Sequence, residues 1–428
     1  MQRIPPSQIV RQRINQVLRD GVPGEADVVT LVVRLGVERL VQEMLEQEVT
    51  DYLGREHYQR RQPDQEHRGY RNGYEPGYLH TAEGQISVQV PQVRDGPATY
   101  RSQVMTALRG HSDVLERLAV AMYTRGLSTR DIEAALEEAT GERLLSRSAV
   151  SELTETLWQD FEAFSRRDLS GFEVEYLFLD AVYESLRLQG AGKEGILCAW
   201  AICADGRKIL LHLALGNKES YQNWLDFLRD MVRRGLRAPV LITSDGSPGL
   251  MRAIEEVFPR SLRQRCLAHK VRNVVDKVSD NRRDEIKAAV QAAYHTPDEV
   301  VAEMVAADVL KKYQERYPSA MKAFQDDWPA CIAYLRCPRV HHKSIRTTNL
   351  LERSFLEQRR RTKTIPRFFT EKSCLKLVFA TLWQANQSWH GVRMSDFERQ
   401  QLRLLRRQLG LLTEHEVEPF IEQMAIVT

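Results

Sequence analysis

Tyr176-Leu177-Phe178-Leu179-Asp180-Ala181-Val182-Tyr183 is a run of β-forming apolar residues carrying one carboxylate. A charge late in a buried strand is costly unless it binds something or lies at an exposed edge, so Asp180 needs a partner. Two further apolar runs follow, Gly195 to Ile202 and Ile209 to Leu215, joined by short Gly-containing turns such as Ala204-Asp205-Gly206. The three read as a meander. Beyond them the pattern predicts an amphipathic helix over Tyr221 to Arg233, a buried strand Val240 to Asp245, a helix Leu250 to Val257 and a short strand Leu262 to Cys266.

The resulting order, β-β-β-α-β-α-β, is that of the ribonuclease H-like fold, in which the first and fourth strands are neighbours. Asp245 ends the fourth strand and is followed by Gly246-Ser247-Pro248, a strand-to-helix turn at the carboxyl edge, where open α/β sheets keep their sites. Asp180 and Asp245 would then face each other. Two hard carboxylates with open positions suit Mg²⁺, or Mn²⁺ as substitute, better than zinc. A pair of such ions can activate a water or a 3′-hydroxyl and stabilise the leaving oxygen of an in-line phosphoryl displacement. A third acid is expected from a helix, and Glu352, on the stretch Thr348 to Arg361, supplies it. Each acid also has a plain structural reading. An Asp at a strand end is often a turn or cap residue, and Asn349-Leu350-Leu351-Glu352 resembles a capping box closing on the Asn349 backbone.

From Pro6 to about Tyr58 apolar residues recur at three and four, with Gly21 to Gly24 as a break, which reads as two helices. Glu56 to Gly77 is polar and reads as a loop, whose Tyr70 and Tyr74 either anchor it or stack on bases. Tyr78 to Val93 alternates around Glu83-Gly84 and predicts a β-hairpin. Leu115 to Trp158 is helical again, with Ser128 and Ser146 as caps of two successive starts. That is the layout of a helix-turn-helix entering a major groove, with Arg130 and Arg147 at its contacts, or of an ordinary capped helix pair. After Cys266 helix formers dominate to about Tyr334, interrupting the domain. The expected divisions are 1–75, a helical region; 76–112, hairpin and linker; 113–168, a helix-turn-helix-like DNA-binding domain; 169–270 and 341–395, the two parts of the α/β core; 271–340, an all-helical insertion; and 396–428, terminal helices.

Hydrophobic residues at 43% and charged residues at 28% are those of globular domains, and 428 residues allow two or three of them. The start Met1-Gln2-Arg3-Ile4-Pro5-Pro6 has no apolar signal region, and Val28 to Val37 is too short to span a bilayer, so a cytoplasmic, membrane-free protein is expected. Six cysteines without paired spacing fit a reducing compartment; Cys331, Cys337, His341 and His342 are a conceivable zinc set with the wrong spacing. The net charge of +3 is mild, but its distribution is not. Arg263, Arg265, Lys270 and Arg272 form one cluster, and Arg359, Arg360, Arg361 and Lys363 another, either solvated faces or phosphate contacts. Trp224 and Trp328 are candidates for stacking or for core.

The runs Phe178 to Tyr183, Thr243-Ser244-Asp245-Gly246, Arg265-Cys266-Leu267-Ala268-His269-Lys270-Val271-Arg272-Asn273 and Thr347-Thr348-Asn349-Leu350-Leu351-Glu352-Arg353 resemble the mutator-type transposases of bacterial insertion sequences. The resemblance extends over Leu40 to Gly54, Tyr70 to Tyr74, Val90 to Gly96 and Gly126 to Arg130, and so spans nearly the whole chain. It implies a DDE-class catalytic triad at Asp180, Asp245 and Glu352, which are also its metal ligands, and a Cys/His signature at Cys266 and His269, with Asn349 beside the third acid. His269 is then a near-site residue that contacts DNA or orients the acids. It implies binding to terminal inverted repeats and target DNA, 3′-end cleavage and strand transfer with two Mg²⁺ ions, and action as a homodimer or larger synaptic assembly, through a circular intermediate. Lys270, Arg272, Arg346, Arg353, Arg359, Arg360, Arg361 and Lys363 would hold phosphates. Ser185 stands where the family often carries a lysine. A metal nuclease or resolvase without strand transfer, and a catalytically silent DNA-binding protein, remain compatible with the residues; an aspartyl-phosphate phosphatase is disfavoured, since Asp180-Ala181-Val182 lacks its second aspartate.

Overall fold

The computed structural model describes residues 4–21, 28–60, 68–108, 110–185, 193–216, 220–363, 365, 368 and 370–412. It divides into two compact units, Met1–Thr156 and Leu157–Thr428.

In the first unit, α1 (Pro6–Asp20) and α2 (Val28–Leu53) precede a two-stranded antiparallel ribbon of β1 (Tyr70–Thr81) and β2 (Gly84–Arg94). Val41 and Leu45 of α2 bury themselves against Leu79, Ile86 and Val88 of the ribbon. The ribbon is longer than its alternation predicts. Tyr70 to Gly77 forms strand, not loop, because β2 satisfies its backbone through to the Tyr70–Arg94 pair, although its side chains face solvent and carry no apolar period. A register shift between Arg71 and Tyr74 further blurs the pattern. The reversal itself is Ala82-Glu83, Gly84 being the first residue of β2.

After the short α3 (Gln103–Ala107) come α4 (Asp113–Thr124), α5 (Thr129–Thr140) and α6 (Arg147–Leu153). They share a core of Leu115, Ala119, Ile132, Leu136, Leu144, Leu145 and Val150. Ser128 and Asp131 form a capping box on α5, and the Ser146 hydroxyl accepts from the Ala149 N–H to start α6.

The second unit opens with α7 (Thr156–Arg166), whose Phe161 and Phe164 rings lie 5.5 and 5.0 Å from Phe379. Its centre is a mixed five-stranded sheet built from β3 (Val174–Ser185), β4 (Lys193–Cys203), β5 (Lys208–Gly216), β6 (Leu241–Ser244) and β7 (Leu262–Arg265), in the order β5-β4-β3-β6-β7. The first three strands are an antiparallel meander, and β6 and β7 add parallel to β3. Between them run α8 (Tyr221–Arg233) and α9 (Pro248–Val257), which cover one face through Trp224, Phe227, Leu228, Leu250 and Ile254. A chain that returns parallel to itself needs a crossover connection, usually a helix, which is why the α segments appear only after the meander ends.

From β7 the chain becomes helical: α10 (Leu267–Val275), α11 (Arg283–Tyr294), α12 (Glu299–Tyr313), α13 (Pro318–Gln325) and α14 (Trp328–Ile332). It returns through α15 (His342–Ile345) to α16 (Asn349–Thr362), α17 (Glu371–Ser388) and α18 (Asp396–Gln408). Trp224 is fully buried in the sheet-helix core, and Trp328 stacks on Tyr294 at 5.6 Å and meets Phe324 edge-on, so both pack within the fold. Among the described residues no helix is long and apolar enough to cross a membrane.

Candidate active site and basic cleft

Leu179 of β3 pairs with Ser244, the last residue of the adjacent parallel β6; Asp180 is the next residue of β3 and Asp245 the first beyond β6. The two carboxylates therefore emerge side by side, at strands spaced about 4.8 Å apart, where β6 gives way to α9. Asp245 Oδ1 accepts from the Ser247 N–H at 2.9 Å, and Asp180 Oδ1 from the Ala181 N–H at 2.8 Å. Between Asp245 and Ser247, Gly246 takes a φ of +86°, and a Cβ there would collide with the Arg265 guanidinium at Nε. Only glycine permits the turn together with that close approach.

The third acid arrives by tertiary stitching. The Thr243 hydroxyl donates to the Ile345 carbonyl at 2.7 Å, and the Leu267 N–H to the Arg346 carbonyl at 3.0 Å. Thr348 then sends both its N–H and its hydroxyl to Cys266 Sγ, each at 3.3 Å. These bonds hold the start of α16 at the ends of β6 and β7. Leu351 and Phe355 bury the inner face of α16, and at its far end the Thr362 hydroxyl donates to Glu184 of β3 at 2.9 Å. Glu352, one turn in, is thereby brought to His269, with His269 Nε2 to Glu352 Oε1 at 3.4 Å.

This geometry corrects the capping-box reading. The N-cap of α16 is Thr348, not Asn349, and its hydroxyl is committed to Cys266. Glu352 spends its charge on an imidazole instead. Cys266 is the N-cap of α10 and His269 lies in its first turn, so the i,i+3 offset puts both on one side of the helix start. Cys266, hydrogen-bonded beside it, raises the His269 imidazole to about 9, with Asp180 and Glu352 adding to it. Cys266 moves down despite its burial, held by His269 and the two Thr348 donors. The Cys198 thiol, across the ladder from Asp180, is pushed up by burial and by that carboxylate. His269 thus favours its cationic form, with Cys266, Asp180 and Glu352 around it. Among the described residues the ligand-type donors that come within 4.8 Å of one another are those of Cys266, His269 and Glu352; Asp180 and Asp245 are not part of that group, and Asp180 reaches it electrostatically through His269.

Among the described residues Cys331, Cys337, His341 and His342 do not assemble into a metal set. His341 uses Nδ1 on the Tyr176 hydroxyl at 2.7 Å and Nε2 on the Arg393 carbonyl at 2.9 Å, and His342 Nε2 meets the Cys337 carbonyl at 2.8 Å.

The first basic cluster is divided by folding. Arg263 grips Asp327 bidentately at 2.5 and 2.8 Å, and Arg265 reaches the same carboxylate at 3.3 Å. Lys270 is 2% exposed and bonds the Asp326 carbonyl, so it serves the packing of α10 on α13 and not the surface. Burial in low dielectric requires such pairing. Arg272 alone of that cluster faces out. It lines a cavity of about 830 Å³ together with Arg346 and Arg353, and with Lys208, Lys287 and Lys343, for which the sequence carried no contiguous signal. These six come from five separate elements and one loop; Asp276 is the acid among the lining residues. Burial and the neighbouring Arg353 lower Lys208, as crowded like charges do. Asn349 lines the same cavity. In the second cluster Arg359, Arg360 and Lys363 are exposed, Arg361 half-buried, and Glu357 pairs with Arg360 at 2.6 Å and with Arg361 at 3.6 Å. In the first unit Arg130 is exposed, whereas Arg147 is tied to Glu133 at 2.9 Å, beside Arg143 on the same carboxylate.

Residues 12–391 match the model of the family described as "Transposase, Mutator family". The chain is 33% identical over 354 residues, 82% of its own length and 87% of the relative's, to the transposase for insertion sequence element ISRM5 of Rhizobium meliloti (strain 1021). It is 32% identical over 377 residues, 87% of this chain and 93% of the relative, to the transposase for insertion sequence element IS406 of Burkholderia multivorans (strain ATCC 17616 / 249). With the transposase for IS1201 of Lactobacillus helveticus it shares 28% over 348 residues, 81% and 92% of the two chains. Matched over most of its length by the family model and by relatives of similar size, the chain belongs to the Mutator family of transposases.

Proposed function

We propose that this chain moves an insertion sequence by DDE chemistry on a ribonuclease H-like domain, cutting the 3′ ends of the element at its terminal inverted repeats and joining them to target DNA. The observation that carries the reading is the neighbouring placement of Asp180, within β3, and Asp245, immediately after the adjacent parallel β6, with Glu352 held at His269, on which Asp180 also acts. The sheet order β5-β4-β3-β6-β7, a meander extended by two parallel strands, supports the fold assignment.

Asp180, Asp245 and Glu352 would hold Mg²⁺ or Mn²⁺, two ions per site. Bound there, the metal supplies an activated water or 3′-hydroxyl and charge stabilisation at the leaving oxygen. The protein's own part is positioning. Gly246 and the Ser247 N–H orient Asp245, and Thr348 through Cys266 holds the α16 start. His269 neutralises Glu352 until the site is loaded, and its release frees that carboxylate.

Double-stranded DNA would follow the basic cleft of Arg272, Arg346 and Arg353 toward the acids, with Arg359, Arg360 and Lys363 extending the path along α16. The compact helices α4 to α6, with Arg130 exposed on α5, are our candidate for recognition of the inverted repeats. The DNA-binding domain expected over 113–168 would then end with the first unit at Thr156, since α7 packs on Phe379 in the second, 271–340 would be a helical insertion, and the active form a homodimer or larger synaptic assembly in the bacterial cytoplasm. Incubating the protein with end-bearing DNA, target plasmid and Mg²⁺ tests this. Joined products are expected; cut but unjoined ends would favour a nuclease or resolvase, and intact DNA a silent binding protein.

A further inference from the structure

Cys266, His269 and Glu352 present one sulfur, one nitrogen and one oxygen donor, all within 4.8 Å of one another. Hard ions such as Mg²⁺ avoid thiolates, whereas zinc prefers such a mixed set. With zinc–nitrogen and zinc–oxygen bonds of about 2.0–2.2 Å, two donors on a tetrahedral ion stand about 3.4 Å apart. His269 Nε2 and Glu352 Oε1 are 3.4 Å apart without any ion.

We propose that Cys266, His269 and Glu352 form a site for a thiophilic divalent cation, zinc being the natural occupant, and that this site shares Glu352 with the three-carboxylate set. The sulfur is prepared for the task. Thr348 donates to Sγ from both its N–H and its hydroxyl, the outer hydrogen bonding that steadies a ligating thiolate. Cys266 stands at the N-terminus of the nine-residue helix α10, whose dipole favours negative charge there. His269, in the first turn of the same helix, presents Nε2 toward Glu352. Three protein ligands leave a fourth position for water or a phosphate oxygen.

Sharing Glu352 has a consequence. A cation held by sulfur and imidazole draws that carboxylate toward α10, so zinc opposes loading of the acid set and acts as a brake on cleavage. This second clause rests on the catalytic reading of Glu352; the site itself does not.

The test uses the metal-free full-length protein and Co²⁺ as probe, read by absorption. Near-ultraviolet thiolate-to-cobalt charge transfer is expected at one equivalent, with visible bands of a tetrahedral ion, and both should vanish on displacement by Zn²⁺. Cys266→Ser should abolish the charge-transfer band, His269→Gln and Thr348→Val should weaken cobalt binding about tenfold or more, and Asp245→Asn should retain the band. Should Cys266→Ser lose its far-ultraviolet circular dichroism, the other two variants carry the assignment by the same readout. Absence of the band in the wild-type protein, or an equal band in folded Cys266→Ser, overturns the site. No DNA or activity enters this readout, so a cobalt-binding protein that fails to cleave DNA counts against the catalytic reading alone. With end DNA and Mg²⁺, saturating zinc should suppress cleavage and a zinc-selective chelator restore it; undiminished cleavage overturns the sharing of Glu352.

Discussion

His269 Nε2 lies 3.4 Å from Glu352 Oε1, so the third acid of the candidate triad is met by an imidazolium and not by the backbone of its own helix. In this arrangement α10 and α16, far apart in the chain, exchange charge at the point where β3 and β6 deliver the other two acids.

Replacing any one of the acids by its amide should remove a metal ligand while keeping shape. Asp180→Asn, Asp245→Asn and Glu352→Gln are each expected to lower strand cleavage and joining by about three orders of magnitude, the scale of several kcal/mol of lost charge stabilisation. Binding to end DNA, measured in Ca²⁺ by gel shift, should stay within a few-fold. Full cleavage in all three variants would refute the triad.

Gly246→Ala tests the turn behind Asp245. Its φ of +86° and the close approach of Arg265 Nε leave no room for a methyl group. A loss of about 1–3 kcal/mol in urea unfolding is expected, together with reduced cleavage, since relief of the clash must move either the turn or Arg265.

The basic cleft is tested by salt. Arg272→Ala, Arg346→Ala and Arg353→Ala should each weaken binding to unrelated duplexes and flatten the plot of log K against log salt by about 0.9 for every phosphate that is no longer neutralised. Lys270→Met should behave differently, because its ammonium is buried on Asp326: lower thermal stability with an unchanged slope.

His269 should remain protonated through neutral pH in the metal-free protein. Its imidazole ring protons, followed by NMR, are expected to titrate near 9, because the cationic form is favoured by the Cys266 thiolate first and by Asp180 and Glu352 after it. Cys266→Ser removes the largest cause and should bring the midpoint down toward the ordinary histidine range. A midpoint near the ordinary value of about 6.5 in the unmodified protein would show that the thiolate–imidazolium pair does not form.

Much of the core was legible because its signals are local. β-forming runs, Gly-containing turns and helical periods specified β3 to β7 with α8 and α9 between them, and a turn sequence at Gly246-Ser247-Pro248 marked Asp245 as a strand-end residue. The outer strand of the ribbon was not legible, since Tyr70 to Gly77 has no buried face and owes its conformation to β2. Nor was the fate of individual charges. Arg263, Arg265, Lys270 and Arg272 look alike in sequence, yet three are consumed by Asp326 and Asp327 and one is left to the cleft.

The sequence by itself determined which residues could do the chemistry and on which elements they ride, because strand alternation, capping and turn preferences act over a few residues. Only the tertiary structure decided what Glu352 does. Its local context offers a capping box with Asn349, but Thr348 takes the cap position and binds Cys266, and the carboxylate is left to the nearest cation, His269. An ionised side chain at the edge of a buried sheet goes to whichever opposite charge the fold brings within a few ångströms, and that partner comes from the other end of a helical insertion that no local pattern could span.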